Sequence, residues 1–304
     1  MYFLGIDGGG TKTRCAVGDE ERLLGEASGP GCNLVRTPAD RVADSIRSAI
    51  VAACKTAGIA SSQIVCTCIG TAGISSPDVA NQIGNMIAAT VPGQVIVRGD
   101  NEIAMHAAFG DGPGVIVASG TGSIAYGRTE DGRTARAGGY GHAISDEGSG
   151  HWIGRTAVSR TLRAFDCGQK TLLEPYLLEA WQADSCAHLV KRANGAPDFA
   201  ALYPLVLRAA NDGDAIACEL LRQAGRELAV LAARVLQQLC PEHAQLEVAT
   251  VGGVFASSAA IRNEFRSKLL SDYPELTIQP SVSEPVLGAL SMARKEFAKF
   301  PCRV

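Results

Sequence analysis

The chain has 304 residues, with 28 Lys and Arg against 31 Asp and Glu, and so carries a formal net charge of −3. At about 150 residues per domain, this length predicts two domains or one large one. The nearly balanced charge argues against nucleic acid as a partner, and the 46% of hydrophobic residues argues against disorder. Glycine is enriched, at 34 residues, which predicts tight turns or places where the backbone approaches a ligand closely.

The segments that would indicate export or membrane insertion are not found in the sequence. The apolar run at 2–6 follows Met1 without a basic leader, and no apolar run reaches roughly 18 residues. We therefore expect a cytoplasmic protein with no membrane partner. The ten cysteines are scattered from Cys15 to Cys302, which favours free thiols over disulfides. Cys66 and Cys68 alternate in an apolar run, which predicts two buried thiols on one face of a strand.

The first third of the chain predicts the element order β-β-β-α-β-α-β-α. The first two strands are joined by a glycine-rich segment, which is typical of a hairpin. The first helix has apolar residues at helical spacing between Pro38 and Gly58. The strands are predicted at 2–6, 14–18, 23–28, 64–69 and 94–97, and the later helices at about 77–90 and after Asp100.

The rest of the chain predicts a second copy of this order with extra helices. The glycine cluster at 110–114 is the natural junction, so we predict a first domain of residues 1–113 plus the closing helix at 286–304, and a second domain of residues 114–285. Its strands are predicted at 114–118, 124–128, 134–137 and 246–251. Its helices are predicted at about 148–165, 172–181, 199–210 and 214–239, with a further helix that begins around Ser257. We therefore expect a duplicated α/β protein.

The first candidate site is the sequence DGGGTKT at residues 7–13. It joins two strands, so it is neither a P-loop nor a dinucleotide fingerprint. Backbone N–H groups of successive glycines can hold a phosphate, and a carboxylate at the end of a strand can hold Mg²⁺ through water. An ordinary glycine-rich hairpin is the alternative. The segment predicts Asp7 as the metal ligand and, as phosphate-binding residues, Gly8, Gly9, Gly10, Thr11, Lys12 and Thr13.

Two more glycine turns follow later strands. SGTGS at 119–123 provides Gly120, Thr121 and Gly122, and VGGV at 251–254 provides Gly252 and Gly253. Bare backbone donors and hydroxyls at strand ends suit the phosphates and the nucleoside of ATP. Three such turns in a duplicated chain predict a nucleotide site in a cleft between the two halves.

The order of these motifs resembles that of the ASKHA superfamily, which includes sugar kinases, actin and Hsp70-type ATPases. Within it the chain is similar to the BadF/BadG/BcrA/BcrD ATPase family, and there to the N-acetylglucosamine kinases. The resemblance covers nearly the whole chain and implies two ribonuclease H-like domains around a cleft, with ATP and Mg²⁺ as cofactors. Dimerisation is common among similar kinases, so a homodimer stays open. The matching segments are 4–13, 119–123, 138–142 and 145–154.

The resemblance also assigns roles to single residues. A kinase acting on a sugar hydroxyl needs a carboxylate that accepts the proton. Asp100, after the strand at 94–97, matches the catalytic aspartate of similar kinases, although an Asp there could also cap the following helix. His142 and His151 are interpreted as structural. By resemblance the sugar contacts are Asn33, Asp100, Thr121, Gly122, Gly139 and Asp146.

These residues predict a kinase that converts N-acetyl-D-glucosamine to N-acetylglucosamine 6-phosphate, and two alternatives stay open. Val35 and Ala72 depart from the family pattern near the acetyl group, which leaves glucosamine kinase as the first alternative. The second is an ATPase that activates a 2-hydroxyacyl-CoA dehydratase through an iron–sulfur cluster held by cysteines. That interpretation is weakened because no cysteine lies between Gly99 and Asp166.

Overall fold

The computed structural model describes residues 1–34, 37–71, 76–195, 197–240 and 246–299. Its internal contacts divide the chain into two compact units. The first unit consists of Met1–Gly112 together with Ser283–Val304, and the second unit is Pro113–Val282. The first unit is therefore discontinuous in sequence, and the second is inserted into it.

One mixed sheet of five strands forms the centre of the first unit. Its strands are β1 (Tyr2–Gly8), β2 (Lys12–Gly18), β3 (Leu23–Pro30), β4 (Ile64–Thr71) and β5 (Gln94–Gly99). They lie in the order β3-β2-β1-β4-β5, with β2 antiparallel and β4 parallel to β1. The helices of this part are α1 (Ala39–Ala57), α2 (Pro77–Ala88) and α3 (Asp100–Phe109).

The second unit contains a second five-stranded sheet and most of the helices. Its first elements are β6 (Gly114–Ser119), β7 (Ser123–Arg128), β8 (Thr134–Gly138), α4 (Gly150–Asp166), α5 (Leu173–Ala180) and α6 (Cys186–Ala193). They are followed by α7 (Tyr203–Asn211), α8 (Ala215–Leu239), β9 (Val248–Val251), α9 (Gly253–Ser257), α10 (Ala259–Asp272) and β10 (Ile278–Ser283). The chain ends its described part with α11 (Pro285–Ala298), which belongs to the first unit.

The two sheets share one topology. The second sheet has the order β10-β9-β6-β7-β8, which read from β8 repeats the order of the first sheet read from β3. In both, an antiparallel meander of three strands is extended by a strand parallel to the first one. The predicted duplicated α/β architecture is confirmed. We find no helix in the described residues that is long and apolar enough to cross a bilayer.

Helix α11 covers one face of the first sheet. A Cβ on Gly5 of β1 would lie 2.3 Å from the backbone nitrogen of Leu290, so the helix rests directly on the strand. Phe3, Cys66 and Cys68 belong to the apolar cluster on this face. The two thiols are fully buried, and burial raises the pKa of Cys66 to about 11 and that of Cys68 to about 12. Their predicted role as core residues is confirmed.

The opposite face of this sheet is covered by α1 and α2. Leu4 and Ile6 of β1 pack there with Ile46 and Ile50 of α1 and with Ile83 of α2. Because both faces of β1 are covered, most of its residues are buried, in contrast to a half-exposed strand.

Some predicted boundaries were wrong. The helix expected at 199–210 is a 3₁₀ turn, Phe199–Leu202, followed by α7. The helix expected to begin around Ser257 begins at Gly253, breaks at Ser258 and continues as α10. Ser258 stops the first helix and caps the second, because its side chain accepts a hydrogen bond from the backbone N–H of Ile261. Helix α6 and strand β10 were not predicted from the sequence.

Candidate active site

The first glycine turn lies between β1 and β2. The backbone N–H of Gly9 donates to the carbonyl of Lys12 (3.0 Å), and its carbonyl accepts from the N–H of Cys32 (3.1 Å). Thr11 and Lys12 lie at the exposed tip of the turn. The turn is therefore closed on one side by the chain that follows β3, and its tip faces solvent.

Two residues of this segment are fixed inside the protein. A Cβ on Gly8 would lie 2.7 Å from Sγ of Cys32 and 3.2 Å from Cβ of Thr71, so only glycine fits there. The side chain of Thr13 is buried, and its hydroxyl donates to the carbonyl of Pro30 (2.7 Å). This hydrogen bond ties β2 to the end of β3, and the role of Thr13 in phosphate binding stays a prediction.

Asp7 and Asp100 form a pair of half-buried carboxylates in the first unit. Burial and the negative charge of Asp100 raise the pKa of Asp7 to about 6, although Arg14 on β2 acts in the opposite direction. Burial also raises the pKa of Asp100. Two carboxylates that oppose each other's ionisation are stabilised by a cation, and Mg²⁺ commonly uses one or two carboxylates together with substrate phosphates. The donors therefore fit the predicted magnesium site at Asp7.

Asp100 is the first residue of α3 and is not its N-cap. The cap position is Gly99, whose N–H donates to Oε1 of Glu102 (3.0 Å). Oδ1 of Asp100 accepts from the N–H of Asn101 (2.9 Å). Because Glu102 takes over the capping of the helix, the carboxylate of Asp100 is not needed for it, and the alternative role as N-cap is wrong.

Asn33 follows the same connection that closes the first glycine turn. Its side chain is 9% exposed, and its carbonyl accepts from the N–H of Thr37 (3.0 Å). An amide buried to this degree needs polar partners, which suits a residue that binds sugar hydroxyls. The two departures from the family pattern, Val35 and Ala72, lie outside the described residues.

In the second unit, the turn between β6 and β7 is bound to the segment 147–151. The hydroxyl of Ser119 donates to the carbonyl of Gly148 (2.9 Å), and that of Ser123 donates to the carbonyl of Glu147 (2.7 Å). Two backbone bonds complete the connection, from Gly150 N to Gly120 O (2.8 Å) and from His151 N to Thr121 O (3.3 Å). The turn and the segment therefore form one hydrogen-bonded body.

Asp146 is held in an unusual conformation beside this body. It is 4% exposed and has φ of 71°, in the left-handed region that is uncommon for residues other than glycine. A Cβ on Gly122 would lie 3.0 Å from Oδ2 of Asp146, so the carboxylate rests against the backbone of the turn. Such strain is maintained only by surrounding contacts and is found often at functional sites. The structure thus brings Asp146 and Gly122 together, as predicted for the sugar site.

The third glycine turn packs against the second. Gly252 has φ of 99°, and a Cβ on it would lie 2.3 Å from the carbonyl oxygen of Ser119. The next residue, Gly253, begins α9 and has no atom within 4 Å of its Cβ position. The two turns predicted to bind nucleotide are therefore adjacent, with open space at Gly253.

Gly139 lies at the same end of the sheet. It follows β8 with φ of 69°, and a Cβ on it would lie 2.8 Å from Cδ1 of Ile124 in β7. Residue 124 directly follows the Ser119–Ser123 turn, so Gly139 is brought next to it. The next side chain, Tyr140, is exposed and has the guanidinium of Arg136 over its ring at 5.4 Å.

Sequence reasoning missed the three serines that hold this part of the site. Besides Ser119 and Ser123, Ser149 caps α4 by accepting from the N–H of Trp152 (3.1 Å). The sequence signal that could have identified these serines is that each of them lies directly beside a glycine. His142 and His151 lie with ring centroids 4.8 Å apart, in line with a structural role. No group of three or more His, Cys, Asp or Glu within the described ranges could hold a metal ion.

The predicted site residues thus fall into two sets, each held by contacts within its own unit. The first unit holds Asp7, the first glycine turn, Asn33 and Asp100. The second holds Gly120, Thr121, Gly122, Gly139, Asp146, Gly252 and Gly253.

The family of the chain follows from its similarity to known proteins. The model of the BadF/BadG/BcrA/BcrD ATPase family matches residues 4–293. An N-acetylmuramic acid/N-acetylglucosamine kinase of Clostridium acetobutylicum is 34% identical over 97% of this chain and 99% of its own, and an N-acetyl-D-glucosamine kinase of Dictyostelium discoideum is 26% identical over 96% and 97%.

A solved structure from Chromobacterium violaceum, named as an N-acetylglucosamine kinase, is 30% identical and superposes with a TM-score of 0.74, over 96% of this chain and 98% of its own. The fold is therefore that of the ASKHA sugar kinases. With a family model matched along nearly its whole length, the chain belongs to the BadF/BadG/BcrA/BcrD ATPase family.

Proposed function

We propose that this sugar kinase transfers a phosphoryl group from ATP to the 6-hydroxyl of N-acetyl-D-glucosamine and releases N-acetylglucosamine 6-phosphate. The observation that carries the proposal is the pair of half-buried carboxylates with raised pKa values, Asp7 and Asp100, beside the first glycine turn. The names of the relatives from Clostridium acetobutylicum and Dictyostelium discoideum support this class of sugar.

In this proposal Asp100 is the catalytic base. It stands at the start of α3, and burial raises the pKa of its carboxyl, which makes the ionised form a stronger proton acceptor. The carboxylate accepts the proton of the 6-hydroxyl and orients its oxygen toward the phosphorus atom. Phosphoryl transfer depends mostly on positioning and charge stabilisation, so a correctly oriented acceptor accounts for much of the rate.

Asp7 is the residue proposed to hold Mg²⁺. When bound with ATP, Mg²⁺ neutralises charge on the phosphate oxygens during transfer. Asp7 would place this cation near Asp100, which would offset the repulsion between the two carboxylates and favour the ionised form of both. This matters because Asp100 can accept a proton only in its ionised form.

The glycine turns are proposed to bind the phosphates through backbone N–H groups. At Gly120 and Gly253 the position that a Cβ would take is open, so a phosphate can approach the backbone there. The N–H of Gly120 donates to the carbonyl of Gly122 (2.9 Å), so Gly120 leaves room for the phosphate without offering a free donor. Gly122 and Gly252 are required for packing within the second unit and keep the turn in place.

The sugar is proposed to bind through Asn33 and Asp146, with backbone contacts at Thr121, Gly122 and Gly139. Asn33 and Asp146 are both buried polar side chains. A binding site that offers buried polar partners discriminates against a sugar lacking the matching hydroxyl, because those partners are then left unpaired.

The experiment that tests the proposal is ADP release from Mg·ATP with no sugar, glucosamine, N-acetylglucosamine or N-acetylmuramic acid. We expect turnover that depends on sugar, with the highest kcat/KM for N-acetylglucosamine. A higher kcat/KM for another sugar would contradict the proposed substrate but would still agree with a sugar kinase. Equal ADP release in every arm would contradict the kinase itself and favour a nucleotide-driven switch.

A further inference from the structure

A cavity of about 440 Å³ lies in the second unit between α4 and the beginning of α8. Its volume is in the range of small-molecule sites. Arg160 and Arg163 of α4 line one side, with Cys167 just beyond the end of that helix. The other side is lined by the first two turns of α8, including Glu219. None of these residues belongs to the candidate active site, so the cavity needs an explanation of its own.

The two arginines present their charge to the same space. They are three residues apart on α4, so they lie on one face of the helix. Arg160 is partly buried and donates a hydrogen bond to Oε1 of Gln223, which fixes its guanidinium at the wall of the cavity. The guanidinium of Arg163 is exposed and makes no hydrogen bond or ion pair with any residue that the structure describes. Its fork of N–H donors is therefore available to a ligand.

The acidic side chain in the lining is paired mainly with arginines outside it. Oε2 of Glu219 is 2.8 Å from Nε of Arg222, and Oε1 is 2.5 Å from a terminal nitrogen of Arg226. These hydrogen bonds lower the pKa of Glu219, so it is ionised. Its negative charge also offsets part of the charge of Arg160, whereas Arg163 has no ion pair among the described residues.

Planar guanidinium groups bind phosphate and carboxylate oxygens with paired hydrogen bonds. We propose that this cavity binds the phosphate group of a small phosphorylated metabolite through Arg160 and Arg163. Inorganic phosphate shares the chemistry and is the simplest probe.

Cys167 provides a readout at the cavity itself, because it is a free, exposed thiol in the lining. The alkylation rate of Cys167 with iodoacetamide, followed by peptide mass spectrometry, should fall at least about threefold when inorganic phosphate saturates the cavity. Cys186 is a free thiol outside the lining, and its rate is the internal control. Phosphate bound at the glycine turns would leave the rate of Cys167 unchanged, so failure of this proposal and failure of the proposed function are distinguishable.

Arg163→Ala tests the arginine, since it removes a guanidinium without partners among the described residues. We expect its Kd for phosphate, taken from protection of Cys167, to rise at least about tenfold, because a charge-assisted pair is lost. The matched control is Arg234→Ala, an exposed arginine of α8 far along the same helix.

Repeating the titration with glucose 6-phosphate and with chloride at equal ionic strength separates the sources of the anion. Tighter binding of the sugar phosphate supports a phosphorylated metabolite, whereas a Kd no lower than that of inorganic phosphate contradicts it and leaves a plain phosphate site. Equal protection by chloride, no saturable protection at 10 mM phosphate, or equal loss in Arg234→Ala would overturn the proposal.

Discussion

The carboxylate of Asp146 lies against the backbone of Gly122, with 3.0 Å between Oδ2 and the position that a Cβ on Gly122 would take. Asp146 has a buried side chain and a backbone in the left-handed region. Gly122 lies in the turn between β6 and β7, and its lack of a side chain leaves space for the carboxylate. The conformation of Asp146, which is proposed to bind the sugar, therefore depends on the absence of a side chain at Gly122.

Gly122→Ala should raise the KM for sugar several-fold with little change in the KM for ATP. The added methyl group pushes the Asp146 carboxylate away from its place, and small displacements of a binding group are costly. Gly120→Ala is the matched comparison, because a Cβ there meets no protein atom within 4 Å. That variant should keep its thermal stability and raise the KM for ATP if phosphate approaches the backbone. An unchanged sugar KM in Gly122→Ala would contradict the contact.

Asp100→Asn should lower kcat by about 10²-fold or more while the KM values for ATP and sugar stay nearly constant, because only proton acceptance is lost. Asp78→Asn is a suitable control, since Asp78 also lies in the first turn of a helix in the first unit. Steady-state ADP release measures both. Normal turnover of Asp100→Asn would remove this residue from the role of base.

The contribution of Asp7 to the stability of the protein should fall as pH rises from about 4 to about 6 in the absence of Mg²⁺. The pKa of Asp7 is raised in the folded state from 3.8 to about 6, so between these values the folded protein binds more protons than the unfolded chain. The stabilisation by protonation is complete below the lower value and lost above the higher one. Within that window the slope attributable to Asp7 approaches roughly 1.4 kcal/mol per pH unit.

Urea denaturation of wild type and Asp7→Asn across pH 4–7 measures this effect as a difference. The variant should lack the slope and should be relatively more stable than wild type at pH 7. Parallel curves for the two proteins would show that Asp7 ionises normally. Adding Mg²⁺ with a nucleotide should stabilise wild type more than Asp7→Asn, as expected for a ligand held in part by this carboxylate.

Gly252→Ala should destabilise the protein by more than about 3 kcal/mol, since it combines a positive φ with a close clash. Gly213→Ala isolates the conformational part, because Gly213 has φ of 88° and open space around its Cβ position. That control should lose only about 1 to 2 kcal/mol. Thermal unfolding of both variants gives the comparison. Equal losses would mean that Gly252 does not pack on Ser119.

The sequence was sufficient to predict the parts of the fold that depend on periodicity and on glycine. Strand β1, helix α1 and the duplicated strand order follow from short-range apolar patterns and turns, which is why they were predicted correctly. Helix α6 and strand β10 were missed. Both are short, with eight and six residues, and each has a single buried residue, Leu189 in the helix and Ile278 in the strand, so the tertiary contacts that define them are few.

The residues of the candidate site were predicted from the sequence, but the hydrogen bonds that hold them in place were not. The hydroxyl of Thr13 has the same chemistry as that of Ser119, and only the fold decides that the first bonds to Pro30 and the second to Gly148. Likewise Asp100 is of a residue type that often caps helices. In the structure the N-cap is Gly99 instead, because the side chain of Glu102 accepts a hydrogen bond from the N–H of Gly99. Such choices depend on long-range geometry that local patterns do not contain.

Helix α11 has a consequence for the order of events during synthesis. It supplies one face of the first unit, with Gly288 so close to α3 that a Cβ there would lie 2.1 Å from the carbonyl oxygen of Ile103. Residues 1–112 therefore leave the ribosome with that face of their sheet uncovered. Helix α11 can cover the face only after the whole second unit has been translated. The inserted unit can complete its own core first, whereas the N-terminal sheet is the last part to become native and the part that chaperones would have most reason to bind.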